Sequence, residues 1–214
     1  MNKAIAIFAK TPQLSLCKTR LAAHIGQEAA TEFYCLCLAA IEELTIALTA
    51  LGYDCWWAVA EKEGVEHPFW KNKPVRYAGE GALGDKLHYT YSQLRNEYSH
   101  VGLMGADAPQ FTAAFIENAM NKLATHAFTI SPASDGGFTL FCGSAPIEES
   151  VWTTTPYSVN TTLEKLVAQL KNYYLLPTYT DVDNFQDLHG LMAQMPEHPS
   201  NAQHAIMQWI IKNA

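Results

Sequence analysis

Ala4-Ile5-Ala6-Ile7-Phe8-Ala9 is a continuous apolar run, and it breaks at Lys10-Thr11-Pro12. Six apolar residues with no polar alternation predict a strand buried on both faces, as in a parallel sheet. The run is too short for a signal-peptide core or a membrane span. Beyond it the chain alternates between two periodicities. Phe33, Cys37, Ile41, Leu44, Leu48 and Leu51 recur every three or four residues and stop at Gly52, which predicts a long helix. Residues 54–60 and 74–78 predict strands. Leu83, Leu87, Tyr91, Leu94 and Tyr98 predict a second helix, and His100 to Gly105 a further strand. Thr112 is placed to cap a third helix through Leu123. Residues 127–131 and 138–142 predict strands around the turn Ser134-Asp-Gly-Gly137. Thr161-x-x-Glu164 has the spacing of a capping box for a fourth helix. A strand over 173–178 and a C-terminal helix carrying Ile206, Trp209 and Ile210 complete the pattern. Strands alternating with helices predict one α/β domain over residues 1–214, a sandwich with a mostly parallel sheet.

The charges are unevenly placed. Lys3, Lys10, Lys18 and Arg20 all precede Glu28, the first acid, so the first 27 residues carry +4 in a chain of net −7. Three of the four bases fall in the stretch Phe8 to Leu21, which reads as a loop after the first strand. In an open α/β sheet ligands bind beyond the carboxyl ends of the strands, so a basic loop there is suited to phosphates. A solvated surface loop has the same composition. The overall negative charge argues against nucleic acid or an anionic membrane as the main partner. No stretch is expected to span a membrane. The five cysteines form no C-x-x-C pair and read as thiols of a reducing cytoplasm.

Two further clusters fall at predicted strand ends. Asp107 follows Leu103-Met-Gly-Ala, and Asp181 and Asp183 follow the last strand. Asp107 and Asp183 together suit Mg²⁺ or Mn²⁺, which takes carboxylate oxygens, keeps several waters and completes its shell with substrate phosphates. Each also fits a turn or capping aspartate. Asp135-Gly136-Gly137 is a tight turn where glycine permits positive φ or close approach to a ligand. Trp152, in Val151-Trp-Thr-Thr-Thr155, fits a substrate-pocket wall or the core. No H-E-x-x-H, G-x-S-x-G or Walker pattern is present.

These strings, in this order, resemble a bacterial family of selenodomain-associated, glycosyltransferase-like transferases. The opening F-x-K-x-P and K-T-R-L are matched by Phe8, Lys10, Pro12, Lys18, Thr19, Arg20 and Leu21. The later strings are matched by Gly105, Asp107 and Pro109, by Pro132 to Phe138, by Trp152 and Thr154, and by Asp181, Asp183, Asp187 and Leu188. More distantly the pattern is similar to phospholactate guanylyltransferases and sugar cytidylyltransferases. The resemblance implies a three-layer α/β/α, Rossmann-like glycosyltransferase-A (nucleotide-diphospho-sugar transferase) fold. It implies nucleotide phosphates held by Lys10, Lys18, Thr19 and Arg20, and Mg²⁺ or Mn²⁺ on Asp107 and Asp183. Asp135 is then the candidate acceptor-binding group or base beside Asp107, with Gly136, Gly137, Trp152 and Thr154 against substrate. The implied reaction is glycosyl transfer from a nucleotide sugar to an acceptor. Nucleotidyl transfer from an NTP and nucleotide binding without catalysis are the alternatives. The chain departs from the family pattern at Ser15, where glycine is usual, at Ala82, where aspartate is common, and at Lys86, where arginine is common.

Overall fold

The computed structural model describes residues 2–213. Its strands are β1 (Lys3–Ala9), β2 (Tyr53–Val59), β3 (Val75–Tyr77), β4 (His100–Gly105), β5 (Phe128–Pro132), β6 (Phe138–Gly143) and β7 (Tyr173–Leu175). They form one sheet in the order β3-β2-β1-β4-β6-β5-β7. Only β6 runs antiparallel to its neighbours, so the sheet is mostly parallel. The helices are α1 (Thr19–Ile25), α2 (Gln27–Ala50), α3 (Leu83–Glu97), α4 (Ala113–Lys122), α5 (Glu149–Thr153), α6 (Thr162–Val167), α7 (Asp187–Ala193) and α8 (Asn201–Asn213).

The opening run explains the layering. Ile5 and Ile7 face one side of the sheet, where Tyr34, Leu38 and Ile41 of α2 and Ile116 and Met120 of α4 meet them. Ala4 and Ala6 face the other side, against Leu87, Tyr91 and Leu94 of α3 and Trp152 of α5. Each side of β1 is therefore covered by helix, and its residues from Ala4 to Ile7 are at most 1% exposed. Burial of one such isoleucine contributes about 1.5–3 kcal/mol. A third cluster joins α1 and α2 to α7 and α8 through Leu21, Phe33, Leu188, Ile206 and Trp209. The result is a three-layer α/β/α sandwich.

Three local expectations are corrected. The stretch from Phe8 to Leu21 is not all loop: Phe8 belongs to β1, and Thr19, Arg20 and Leu21 open α1. Thr161 makes no capping bond to α6; the Thr162 hydroxyl instead donates to the carbonyls of Pro156 and Val159. The last strand is shorter than expected, ending at Leu175, with a single bridge from Tyr179 to Ala133. The helix α2 is long and apolar enough to cross a membrane by length and composition alone, with a mean hydropathy of 1.6 over its most apolar window. Half of that window is buried, as in the core helix it forms here.

Candidate functional site

Strand register brings the candidate side chains together. β1 and β4 run parallel with Phe8 opposite Gly105, so Lys10 and Asp107 each lie two residues beyond a paired position. The parallel bridge between Ala133 and Tyr179 does the same for Asp135 and Asp181. A backbone bond from Val182 N–H to the Asp107 carbonyl, 3.3 Å, ties the two halves. Asp107, Asp135, Asp181 and Asp183 thus gather at one end of the sheet.

Lys18 enters this acidic cluster from the first loop. It takes a left-handed conformation, φ 53°, immediately before α1. Its side chain is 4% exposed, with Nζ 2.5 Å from Asp107 Oδ1 and a second bond donated to the Val182 carbonyl. Burial acts against the charged ammonium, but Asp107, Cys37 and Asp181 outweigh it and hold its pKa above that of ordinary lysine. Arg20 Nη1 lies 2.5 Å from Asp183 Oδ2 in a more exposed pair. The Asp183 carboxyl is pushed up by burial and by the neighbouring carboxylates, against the pull of Lys18 and Arg20. Burial, then Asp107, raises Asp181 to about 7 despite Lys18. Asp181 Oδ1 is buried with no hydrogen-bond partner among the described residues. Asp187 accepts from the backbone N–H groups of Asp183 and Asn184 at 2.9 and 2.8 Å, so it shapes the turn that presents Asp183.

The first loop is strapped down around Lys10. Its N–H donates to the Tyr34 hydroxyl at 2.8 Å, and that hydroxyl donates back to the Lys10 carbonyl at 3.1 Å. Thr11 N–H donates to Glu61 Oε2 at 2.9 Å, and Trp70 Nε1 to the Thr11 hydroxyl at 2.9 Å. Lys10 Nζ reaches the Leu16 carbonyl at 3.2 Å.

Two adjoining cavities open on this cluster. One, of about 520 Å³, has Lys10, Lys18, Thr19, Arg20 and Lys86 on its walls with the small side chains of Ala9, Ala58, Ala60 and Ala78. The other, of about 430 Å³, is lined by Asp135, Gly137, Asn160 and Asp181 with Leu87, Leu103, Phe138, Tyr157 and Val159. Asp107, Asp183, Arg20, Phe8, Leu83 and Ser158 border both. The basic and acidic halves therefore meet at Asp107 and Asp183.

Gly136 and Gly84 make the second cavity possible. Gly136 has φ +92°, and a Cβ there would run into the Asn160 backbone, so only glycine lets the 133–137 turn pack under residues 157–160. A Cβ on Gly84 would stand 2.5 Å from the Trp152 carbonyl, which holds α3 close to α5.

Not every expected site residue reaches the cavities. Trp152 is fully buried, packed at 5.0 Å from Phe141 and 5.8 Å from Tyr91, and lines neither cavity. Thr154 is exposed at the end of α5, where its hydroxyl donates to the Ser150 carbonyl at 2.7 Å, and it too lines neither cavity. The structure brings neither of them to the acidic cluster. Gly136 lines neither wall and acts through the turn, whereas Gly137 lines the acidic cavity. The sequence reading did not single out Glu61, Tyr157 or Asn160, and it named Lys86 only as a departure from the family pattern. Lys86 carried a faint signal, since it follows the glycine-rich turn 79–84 on the first turn of α3.

A cleft of ligand size at the strand ends of an open α/β sheet is where proteins of this architecture bind their ligands. The chain belongs to the bacterial family described as "Uncharacterized protein conserved in bacteria (DUF2064)", whose pattern matches residues 41–159. A protein of Desulfovibrio desulfuricans G20, provisionally assigned as a nucleotide-diphospho-sugar transferase, superimposes with a TM-score of 0.81. It is 22% identical, over 98% of this chain and 99% of that one. The 4-diphosphocytidyl-2C-methyl-D-erythritol synthase of Anaerococcus prevotii DSM 20548 gives a TM-score of 0.54 at 9% identity, covering 90% and 97%. A cytidylyltransferase from Leptospira borgpetersenii serovar Hardjo-bovis gives 0.50 at 11% identity, covering 100% and 95%. At these identities the likeness is one of fold. No curated protein matches the sequence.

Proposed function

We propose that the chain is a cytoplasmic, divalent-metal-dependent transferase that uses an activated nucleotide, with a nucleotide sugar as donor. The observation that carries this reading is the junction of the two cavities at Asp107 and Asp183. A donor diphosphate lies on the basic side, an acceptor on the acidic side, and the bond to be exchanged at the seam. The resemblance to glycosyltransferase-like transferases supports a sugar donor.

The donor set fits a hard cation. Four carboxylates face two paired cations, and Asp181 Oδ1 is buried without a partner. Among the described residues no group of three acidic, histidine or cysteine side chains is arranged to hold a metal. Asp107 and Asp183 would hold Mg²⁺ or Mn²⁺, with phosphate oxygens and water completing the shell. Bound there, the cation neutralises charge on the departing diphosphate. Lys10, Lys86 and Arg20 bind the phosphates from the basic side, Arg20 being able to engage two oxygens at once. Lys18 balances Asp107, and Thr19 lines the wall beside it. In the transfer, an acceptor hydroxyl oxygen bonds to the sugar carbon while the bond from that carbon to the diphosphate breaks. The nucleoside diphosphate leaves with the electron pair, and Asp135 takes the hydroxyl proton.

Nucleotidyl transfer is the second reading. Among the described residues Lys10 and Lys86 pair with no carboxylate, which leaves positive charge for a longer phosphate chain. There the acceptor oxygen bonds to the α-phosphorus and pyrophosphate leaves. A thermal-shift screen of nucleoside diphosphates, triphosphates and nucleotide sugars, with and without Mn²⁺, tests both readings. The expected result is a metal-dependent rise with one base that is lost in Asp107→Ala. Release of nucleoside diphosphate then supports sugar transfer, and release of pyrophosphate supports nucleotidyl transfer. No rise with any nucleotide overturns the donor site, and binding without turnover overturns catalysis.

A further inference from the structure

We infer that the acidic cavity takes an acceptor without an anionic group, an alcohol on an apolar body. This rests on the transferase reading and goes beyond it by naming the acceptor's chemistry. The first observation is charge segregation. Among the described residues Arg20 is the only lysine or arginine lining this cavity, and it is taken up by Asp183 or, with the donor bound, by the donor phosphates, whereas Asp107, Asp135, Asp181 and Asp183 all line it. A carboxylate or phosphate on the acceptor would find Asp135 and Asp181, which pair with no cation among the described residues, while Lys18 and Arg20 are already held by Asp107 and Asp183.

The second observation is the shape and character of the walls. Leu87, Leu103, Phe138 and Tyr157 line the interior. Leu83 and Val159 stand at 45% exposure each, and they border the same space. Two exposed apolar side chains on the rim of an apolar pocket gain burial when a ligand with an apolar body covers them. About 430 Å³ is room for a small molecule rather than a polymer segment. Where the body packs on these residues, a hydroxyl at its end meets Asp135, whose Oδ1 already accepts from Gly137 N–H at 2.8 Å and so is fixed in direction.

The third observation is the unpartnered Asp181 Oδ1, buried and belonging to a residue of the cavity wall. A hydroxyl can supply the donor this oxygen lacks, and an acceptor-only anion cannot. The donor's own phosphates lie across the seam and add to the exclusion.

Two probes of one shape isolate the charge: cyclohexylmethanol and cyclohexanecarboxylate, titrated into the full chain and followed by the backbone amide resonances of Gly137, Val159 and Asn160. The expected result is that the alcohol shifts these resonances and that the carboxylate binds at least about tenfold more weakly. Val159→Arg places a cation on the exposed rim without disturbing the core, and it is expected to close most of that gap. Equal or tighter binding of the carboxylate to the wild type overturns the inference. So does an absence of shifts with the alcohol, or an unchanged ratio in the variant. Nucleotides titrated into the same samples report on the donor side through the Lys10 and Lys86 amides. Alcohol selectivity without nucleotide binding would sink the transferase reading and leave the cavity assignment standing.

Discussion

Lys18 Nζ sits 2.5 Å from Asp107 Oδ1, and the two ends of this pair are unequally buried: 4% of the lysine side chain is exposed against 39% of the aspartate. The asymmetry predicts unequal costs. Asp107→Ala leaves a buried ammonium with only the Val182 carbonyl as partner, which costs about 3–5 kcal/mol. Lys18→Met leaves a carboxylate that water already reaches, so its loss is smaller, about 1–3 kcal/mol. Urea unfolding of the two variants checks this. A Lys18→Met protein less stable than Asp107→Ala would show that the lysine's own packing, not the pairing, dominates.

Trp152 tests the division between core and cavity. It is buried against Phe141 and Tyr91, and its indole N–H has no partner among the described residues. Trp152→Phe therefore loses volume but no hydrogen bond. A destabilisation of about 1–3 kcal/mol is expected, with ligand affinities within twofold of the wild type. Calorimetric unfolding and nucleotide titration on one preparation measure both. A large loss of affinity at unchanged stability would return Trp152 to the substrate wall.

The fold was legible because β1 and α2 carry strong, unambiguous periods, and all seven strands have a counterpart in the apolar pattern. α1 was hidden because its seven residues are too few to show a period, and basic residues at its start read as loop. Asp107, Asp181 and Asp183 were legible because register carries strand-end residues to one edge of the sheet. Their pairing with Lys18 and Arg20 was not, since those contacts join residues at least 89 positions apart through loop geometry. Tyr157 and Asn160 were missed for a related reason: the approach of residues 157–160 to Gly136 is set by tertiary packing. Trp152 was ambiguous in sequence because a large aromatic serves a core and a pocket equally well.

Lys86 is the residue the structure adds to the basic wall. It is half-buried on the first turn of α3 and, among the described residues, pairs with no acid. A lysine with no structural partner can be removed at little cost. Lys86→Ala is expected to change stability by less than about 0.5 kcal/mol while weakening nucleotide binding about tenfold. Lys86→Arg is expected to keep the affinity. Calorimetric titration of nucleotide into each variant decides it, and unchanged affinity in Lys86→Ala would remove this residue from the phosphate site.

Glu61 predicts a pH dependence that belongs to the loop rather than to the acidic cluster. Burial raises its pKa, but the neighbouring Ser15 and Thr11 polar groups, including the hydrogen bond from the Thr11 N–H, outweigh that and hold it below the ordinary carboxylate value. A carboxylate depressed in the folded state binds fewer protons there than in the unfolded chain. Its stabilisation is therefore full above the ordinary value of 4.5 and is lost as pH falls through the lower folded value. Glu61→Gln removes this charge while keeping an acceptor for Thr11. The variant is expected to be less stable than the wild type at pH 7, with the difference shrinking as pH falls below 4.5. Because Glu61 straps the segment that carries Lys10, nucleotide affinity should fall with it at pH 7. Urea midpoints from pH 3 to 7, taken on both proteins, give the comparison. A constant difference across that range would mean that Glu61 acts through shape alone and not through its charge.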